Sequence, residues 1–495
     1  MQIQLPKLKK INLNRPKKKK ILLLSDQLNF KSGVATMSRE LVLGTANEFD
    51  WVQIGAAIKH PDHGKILDLS EDVNKEIGID HSYVKIYCSD GYGSPDIVRE
   101  VLNLEKPDAI MLFTDPRHFY WFWPMEHELR THWKIPIIYM SVWDNLVWPM
   151  HNLAFYSSCD LLLGISKQTH SIHQEVLKYG DVDFIDLDTN SSAEVGKTLL
   201  TYLPHGINPK LFHPIENDPE YDKFVSDFKS KNDVDFVVFW NNRNIRRKNP
   251  GDVILAFKTF CDKLPKEKAK HCCLFMKTAI RDENGTDLMA VKRAICPDYK
   301  VLFNEEMLPE KIMNWFYNLS DLTISIGSNE GFGLGSLESL HSGTPILVNV
   351  TGGLQDQCRF EDEYGNWFEP TTEIPSNHAG TYQHHGDWCF PVFPSNRSLQ
   401  GSIPTPYIFD DRCKFEDVAD KLLEVYNMSV DERTASGLRG REWVLGDESG
   451  MSADKMCSKF AQSVNKLFEV WQPKPRFELT KVGSRKKITN SGVVI

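Results

Sequence analysis

Residues 328–338 read SNEGFGLGSLE, a glycine-rich stretch that directly follows the apolar run 322–327. Its pattern predicts a strand, a turn, and then a helix that continues to about His341. Glycines at such a turn let backbone N–H groups approach a ligand closely, and the helix N-terminus favours an anion. Glu330 falls in the turn and Glu338 lies two helical turns later, so both carboxylates can accept hydrogen bonds from sugar hydroxyls, as in dinucleotide-binding folds.

Short apolar runs recur on both sides of this turn, between stretches long enough for helices. Runs that are apolar throughout are typical of strands buried on both faces of a parallel sheet, and their alternation with helices predicts βαβ units. The predicted strands are 20–25, 51–55, 84–88, 109–113, 135–141 and 161–165 in the first half, and 235–241, 272–277, 300–303, 322–327 and 345–350 in the second. A long polar break between the two series disfavours a TIM barrel and predicts an α/β protein with two doubly wound domains.

The same pattern divides the chain into segments. A basic arm (1–18) precedes an N-terminal Rossmann-like domain (19–205), a linker (206–233) and a C-terminal Rossmann-like domain (234–455). Residues 355–411, rich in Gly, Pro, His and aromatics, interrupt the alternation and are predicted to be an insertion. Loops of that length are usually functional or disordered. Residues 456–472 are expected to form a helix that returns to the N-terminal domain, and 473–495 a polar tail.

The charge distribution bears on possible partners. The 495 residues carry a net charge of −9, but residues 1–24 hold eight basic side chains and no acidic one, which leaves −17 on the remainder. This balance argues against a protein coated with positive charge for binding phosphate backbones, although a local basic groove remains compatible with it.

The cysteines and the apolar runs bear on location. The ten cysteines form no CxxC pair, so buried reduced thiols are expected. Neither a secretory signal nor an apolar run of 18 residues is present in the sequence, and we therefore expect a cytoplasmic protein without a membrane span.

A second group of charged residues follows the predicted strand 235–241. Arg243 and Lys248 lie in the stretch NNRNIRRKNP (241–250). Fixed cations at the carboxyl end of a parallel strand are suited to holding a diphosphate in the crevice between two domains.

Together these motifs resemble the retaining GT-B glycosyltransferases of the glycogen-synthase-like type. The family's E-x7-E is matched by Glu330 and Glu338, its Arg-x4-Lys by Arg243 and Lys248, and its hinge phrase by residues 204–214. The resemblance covers residues 19–471 and implies a GT-B fold with two Rossmann-like domains facing each other across a donor-binding crevice. It also implies a nucleotide-sugar donor, most commonly a uridine-diphosphate sugar, and transfer without a required cofactor or metal.

The resemblance also implies individual roles. Arg243 and Lys248 would hold the donor diphosphate, Glu330 would contact the transferred sugar, and Glu338 the nucleotide ribose. The nucleobase would lie near residues 304–308. The family's glycine loop beneath the donor phosphates is reduced here to one glycine, Gly33. Many members have a histidine after the strand 137–141, and this chain has instead a stretch that contains Asp144. The remaining positions predicted to contact the donor are Gly33, Leu308, Gly331, Phe332, Gly333 and Leu334.

The acceptor is a separate question, which the N-terminal half addresses. The phrases at 114–123 and 143–160 resemble glycosyltransferases encoded by tailed bacteriophages, some of which modify hydroxymethylated pyrimidines in DNA. This favours double-stranded DNA as acceptor in a host cytoplasm, with Arg117, Trp143 and Asp144 near an extruded base. Asp144 is the candidate for orienting the sugar or accepting the acceptor's proton, and otherwise a capping residue. The residues predicted to be catalytic are therefore Glu330, Asp144, Arg243 and Lys248.

Three alternatives remain open from the sequence. The acceptor can be a glycan, lipid or protein instead of DNA. A non-catalytic sugar-nucleotide-binding module is an alternative of another class. A metal-dependent GT-A enzyme needs an Asp-x-Asp at a strand end, and the triplets 181–183, 186–188 and 233–235 fit that pattern only in loop-like or strand-starting positions.

Overall fold

The computed structural model describes residues 17–190, 192–370 and 376–473. The predicted basic arm and tail lie outside the described residues, except for residues 17, 18 and 473. Two sheets, each covered by helices, form the two halves of the described chain.

The N-terminal sheet has nine strands in the order β3-β4-β2-β1-β5-β6-β7-β9-β8, and every neighbouring pair is parallel except β3 and β4. The central strands are buried almost completely, which explains their uniformly apolar sequences. The strands are β1 (Lys19–Asp26), β2 (Phe49–Ala57), β3 (Ile66–Asp68), β4 (Val84–Asp90), β5 (Ala109–Phe113), β6 (Ile137–Ser141), β7 (Leu161–Gly164), β8 (Phe184–Asp186) and β9 (Thr198–Tyr202). The helices of this half are α1 (Gly33–Thr45), α2 (Ser70–Ile77), α3 (Pro95–Glu105), α4 (Glu126–Glu128), α5 (Leu153–Ser157) and α6 (Lys167–Tyr179).

The C-terminal sheet has six parallel strands in the order β12-β11-β10-β13-β14-β15. Its strands are β10 (Phe236–Asn241), β11 (Cys272–Lys277), β12 (Lys300–Asn304), β13 (Leu322–Ser325), β14 (Ile346–Asn349) and β15 (Cys389–Val392), and a separate antiparallel hairpin consists of β16 (Asn396–Ser402) and β17 (Thr405–Arg412). The helices are α7 (Pro219–Asn232), α8 (Pro250–Asp262), α9 (Lys266–Ala269), α10 (Leu288–Ile295), α11 (Glu310–Leu319), α12 (Leu334–His341), α13 (Leu354–Cys358), α14 (Phe415–Asn427), α15 (Val430–Leu445) and α16 (Ala453–Val470).

The predicted α/β class with two doubly wound halves is confirmed, and each of the eleven predicted strands is present. The predicted insertion at 355–411 contains regular secondary structure. It contains α13, the hairpin, and strand β15, which pairs with β14 and completes the C-terminal sheet. The four residues of β15 follow a segment full of turn-forming residues, and this masked the strand in the sequence.

The last helix, α16, packs against α1 of the N-terminal half. Phe460 is fully buried and stacks on Trp51 of β2 with ring centroids 5.9 Å apart. A Cβ added to Gly44 of α1 would lie 2.3 Å from the sulfur of Cys457, so the two helices are in close contact there. The chain therefore crosses to the C-terminal half and comes back.

The structure pairs two of the ten cysteines, where the sequence predicts reduced thiols. A disulfide joins Cys358 of α13 to Cys389 of β15, and the other eight are free. The two partners are 31 residues apart in sequence, and only the unpredicted strand β15 brings them together. No described helix is both long enough and apolar enough to cross a bilayer.

Candidate active site

The glycine-rich turn predicted from the sequence connects β13 to α12. Gly333 precedes α12 with φ of +96°, a left-handed conformation that glycine adopts without strain. Behind the turn, Gly353 donates its backbone N–H to the carbonyl of Glu330 at 3.0 Å. A Cβ on Gly352 would lie 2.0 Å from that same carbonyl oxygen. The paired glycines at 352 and 353 thus let a second backbone segment fix the position of Glu330.

Glu330 and Lys248 form a buried ion pair at this turn. Lys248 lies in the short 3₁₀ turn Arg246–Lys248 that follows β10, so two parallel strands deliver the partners to the same edge of the sheet. Burial by itself would raise the pKa of the Glu330 carboxyl, but the charges of Lys248 and Arg247 outweigh burial and hold that pKa below its usual range. Glu330 is therefore an ionised carboxylate in a site largely closed to water.

Asp144 faces this pair from the N-terminal half. It follows β6, and its carboxylate accepts a hydrogen bond of 2.5 Å from Asn145. Burial raises the pKa of Asp144 to about 6; Arg247 opposes this shift, and the negative charge of Glu330 adds to it. Its neighbour Asn145 accepts a hydrogen bond of 2.6 Å from Asn329, the residue before Glu330, so Asp144 lies beside the glycine-rich turn of the C-terminal half. The structure brings together three of the four residues predicted as catalytic.

The fourth, Arg243, lies elsewhere. Its side chain is 63% exposed and donates to Asp282 at 2.8 Å. Arg247 instead approaches Glu330 at 3.9 Å and donates to the carbonyl of Asn329 at 2.7 Å. The sequence did not predict Arg247, because the Arg-x4-Lys motif specifies only its first and last residues. The diphosphate-binding role of Arg243 stays a prediction that requires it to leave Asp282.

Glu338 has a different environment from Glu330. Tyr317 of α11 donates its hydroxyl to Glu338 at 2.6 Å and accepts from Asn241, at the end of β10, at 2.8 Å. Burial raises the pKa of Glu338 to about 7, and the hydrogen bond from Tyr317 counteracts part of this rise. Without a cationic partner of its own among the described residues, this carboxyl titrates near neutrality.

The remaining predicted donor positions border the contact between the two halves. A Cβ on Gly33 would lie 3.2 Å from the Leu334 side chain, and Lys31 donates to the carbonyl of Leu308 at 3.3 Å. A Cβ on Gly331 would lie 3.2 Å from the carbonyl of Val142. The glycines at 33 and 331 thus allow the halves to approach each other closely. Phe332 is buried against His205 with ring centroids 5.3 Å apart, and its contact with the donor stays a prediction.

The predicted acceptor residues separate into exposed and buried ones. Trp143 is only 7% exposed and donates its indole N–H to the carbonyl of Asn145, and its role as an acceptor contact stays a prediction. Arg117 is exposed and lies 3.3 Å from Asp115 in an ion pair. Phe119 and Phe122, nearby in sequence, are buried too.

Among the described residues, one group could supply metal ligands. His170, Asp186 and Asp188 place ligand atoms within 4.8 Å of one another. Asp186 ends β8, which corrects the expectation that the triplet 186–188 lies in a loop. However, His170 already pairs with Asp186 at 3.0 Å, and Lys459 with Asp188 at 2.7 Å. Strand β8 is also three positions from β6 in the sheet, roughly 14 Å at the usual strand spacing, so this group is separate from Asp144.

Two Rossmann-like halves, with a charged cluster where the carboxyl ends of their strands meet, define the GT-B fold. Solved structures share it across nearly the whole chain. Sucrose-phosphate synthase from Thermosynechococcus elongatus is 13% identical with a TM-score of 0.60, covering 91% of this chain and 100% of that one. Alpha,alpha-trehalose 6-phosphate synthase from Burkholderia multivorans is 11% identical with a TM-score of 0.59, covering 92% and 99%. An E. coli protein described as trehalose-6-phosphate, bound with UDP-2-fluoro glucose, is 12% identical with a TM-score of 0.58, covering 91% and 99%.

At these identities the likeness establishes the fold. No protein-family profile and no curated protein sequence matches the chain. The chemistry of the site must therefore be argued from its own residues.

Proposed function

We propose that this protein is a retaining glycosyltransferase that moves a sugar from a nucleotide-diphosphate donor to a hydroxyl acceptor. The observation that carries the proposal is the buried Lys248–Glu330 pair at a glycine turn, with Asp144 facing it from the other half. A buried ion pair is a weak source of stability because desolvation costs offset the attraction. The pair lies at the carboxyl ends of parallel strands, where ligands bind in such folds, and this position favours a role in ligand binding or catalysis.

In this proposal the charges divide the work of the reaction. Lys248 and Arg247, joined by Arg243 when it releases Asp282, stabilise the diphosphate as it leaves. Glu330 accepts hydrogen bonds from the transferred sugar, and Glu338 from the nucleotide ribose. No side chain is needed as a covalent nucleophile if the acceptor attacks from the face the diphosphate leaves, so catalysis is mainly electrostatic. Asp144 is placed to orient the sugar or accept the acceptor's proton.

For the donor, we propose a uridine-diphosphate sugar. The resemblance of the motifs to the E-x7-E enzymes favours it, and the E. coli structure that shares the fold is bound with UDP-2-fluoro glucose. Both the absence of a metal requirement and the retaining outcome are parts of this proposal to be tested.

For the acceptor, the sequence favours hydroxymethylated pyrimidine in phage DNA. Trp143, one of the acceptor contacts in this proposal, is only 7% exposed. Arg117, His118 and Tyr120 are exposed in the same segment and would have to contact the base and its phosphates. A glycan, lipid or protein acceptor therefore enters the test on equal terms.

The test incubates the protein with a panel of sugar nucleotides, each with hydroxymethyl-DNA, with glycans or with no acceptor, and weighs the products. We expect one donor to lose its sugar to an acceptor, with full activity in EDTA and with the anomeric configuration retained. Transfer to DNA should weaken steeply as salt is added. Binding of a donor without any turnover would favour the non-catalytic module instead.

A further inference from the structure

The hairpin β16–β17 extends from the C-terminal half and docks on the N-terminal half. Phe409 donates its backbone N–H to the carbonyl of Leu146 at 3.1 Å. The hydroxyl of Tyr407 donates to the carbonyl of Trp148 at 3.2 Å and accepts from the N–H of Met150 at 3.2 Å. These contacts lie within seven residues of Asp144, so the hairpin holds the loop that carries this carboxylate.

The other end of β17 is anchored behind the glycine-rich turn. Asp411 is fully buried, and its carboxylate accepts hydrogen bonds from Thr351 at 2.9 Å, from Asn377 at 3.2 Å and from Ser376. Its backbone N–H donates to the carbonyl of Ser328 at 3.1 Å. One strand therefore connects the turn that carries Glu330 to the loop that carries Asp144.

Asn329 lies where these three segments meet. It is 3% exposed, and its side-chain amide donates to the Asn145 side-chain oxygen at 2.6 Å and to the carbonyl of Phe409 at 2.5 Å. Asn145 uses its own amide N–H to donate to Asp144. An amide offers two donors and an acceptor on one planar group, so the single Asn329 amide makes both donations, and alanine at this position could make neither.

We propose that Asn329 is a positioning residue that acts through Asn145 to hold Asp144 opposite Glu330, and that the hairpin is the strap that keeps the crevice closed while it does so. The inference rests on the proposed function in one respect, which is the reason why Asp144 has to be held opposite Glu330. The contact itself is independent of it. Asn329 touches neither reacting group, so its loss should affect the reaction step more than donor binding.

The experiment compares wild type with Asn329→Ala, Asn329→Asp and Tyr407→Phe. Asn329→Ala leaves the Asn145 oxygen unpaired and releases Asp144, so kcat should fall at least tenfold while the KM for the donor changes less than threefold. Asn329→Asp cannot donate and adds negative charge beside Asp144, so it should also move the acidic limb of the kcat–pH profile to higher pH. Tyr426→Phe is the matched control, because Tyr426 packs on Phe236 and Phe260, away from the crevice.

Hydrogen exchange of the Phe409 backbone amide gives a second measurement that needs no turnover. We expect protection in wild type and in the Tyr426→Phe control, and at least tenfold faster exchange in Asn329→Ala and Tyr407→Phe. Unchanged kcat in Asn329→Ala, a loss confined to KM, or unchanged Phe409 exchange would overturn the inference. If wild type turns over no sugar nucleotide, the proposed function fails instead, and the exchange measurement still decides whether the strap exists.

Discussion

Glu330 illustrates how a single side chain is held ionised in this site. Removing a carboxylate from water is costly, and the neighbouring ammonium of Lys248 compensates for that cost. Asp144, which has no cation in direct contact in the described part of the chain, has a raised pKa instead. Two carboxylates in one crevice therefore have different protonation behaviour, and this is the arrangement an enzyme needs to separate orienting and proton-accepting roles.

The raised pKa of Asp144 predicts a pH dependence. With a pKa of about 6 the group is mostly ionised at pH 7 and becomes protonated as the pH falls. If Asp144 acts in its charged form, kcat at saturating donor should be flat above pH 7 and fall about tenfold per pH unit below 6. The residual activity of Asp144→Asn should lack this limb. Persistence of the limb in Asp144→Asn would assign it to another group.

A second prediction at this scale concerns Tyr317. Tyr317→Phe removes the hydrogen bond that counteracts burial at Glu338, so the pKa of Glu338 should rise further above 7. The carboxyl would then be largely protonated at pH 7 and a poorer acceptor for ribose hydroxyls. We expect the donor KM to rise about tenfold at pH 7, to recover partly at pH 8.5, and kcat to change little. Tyr299→Phe, whose hydroxyl bonds to Asp262 away from the crevice, is the control; a similar KM change in both variants would contradict the assignment.

Among the elements, the β13–α12 turn depends on its support from residues 352 and 353. Gly353 has an ordinary φ of −73°, so an alanine there is not strained by its backbone conformation. Its Cβ would nevertheless lie 2.5 Å from the carbonyl of Gly331, and backbone atoms do not yield as side chains do. The turn that carries Glu330 must then move.

Gly353→Ala should therefore reduce turnover at least tenfold and lower the free energy of unfolding by about 1–3 kcal/mol. The matched control is Gly251→Ala in the first turn of α8, where an added Cβ would meet nothing within 4 Å. Helix propensity should leave that variant as stable as wild type or slightly more so. Chemical denaturation and kinetic assays on both proteins provide the measurements, and equal behaviour of the two variants would refute the proposed support.

The elements also show what the sequence can predict. Continuous apolar strands and the glycine turn have local signatures, and for this reason the eleven strands and α12 were predictable. Strand β15 and the hairpin have no such signature: the first is four residues long, and the first strand of the hairpin, β16, is polar and largely exposed. Arg247 and Asn329 were not predictable either, because their importance comes from contacts more than 80 residues away in sequence.

At the scale of the whole molecule, α16 ties the end of the described chain back to the N-terminal half. Phe460 contacts Trp51 and Phe49, the latter with ring centroids 6.3 Å apart. The helix thereby makes the N-terminal core depend on residues more than 400 positions later. Besides the segment between the domains, the hairpin and this helix also connect the two halves.

Phe460→Ala should therefore lower the free energy of unfolding by about 3–5 kcal/mol, the usual cost of emptying a large buried aromatic site. Leu104→Ala in α3 is the control, because Leu104 is exposed and its truncation should cost less than about 0.5 kcal/mol. Thermal unfolding followed by circular dichroism measures both. A small effect of Phe460→Ala would show that α16 is not part of the N-terminal core.

The central claim is that the crevice between the two halves is the reacting centre of a nucleotide-sugar transferase. The most direct measurement is the rate at which nucleoside diphosphate is released from the sugar nucleotide that the donor panel selects, by wild type, Lys248→Ala and Glu330→Ala. We predict steady release by wild type and a loss on the order of 10²–10³ or more in both variants, with folding unchanged by circular dichroism. Release at the wild-type rate by either folded variant would contradict the claim.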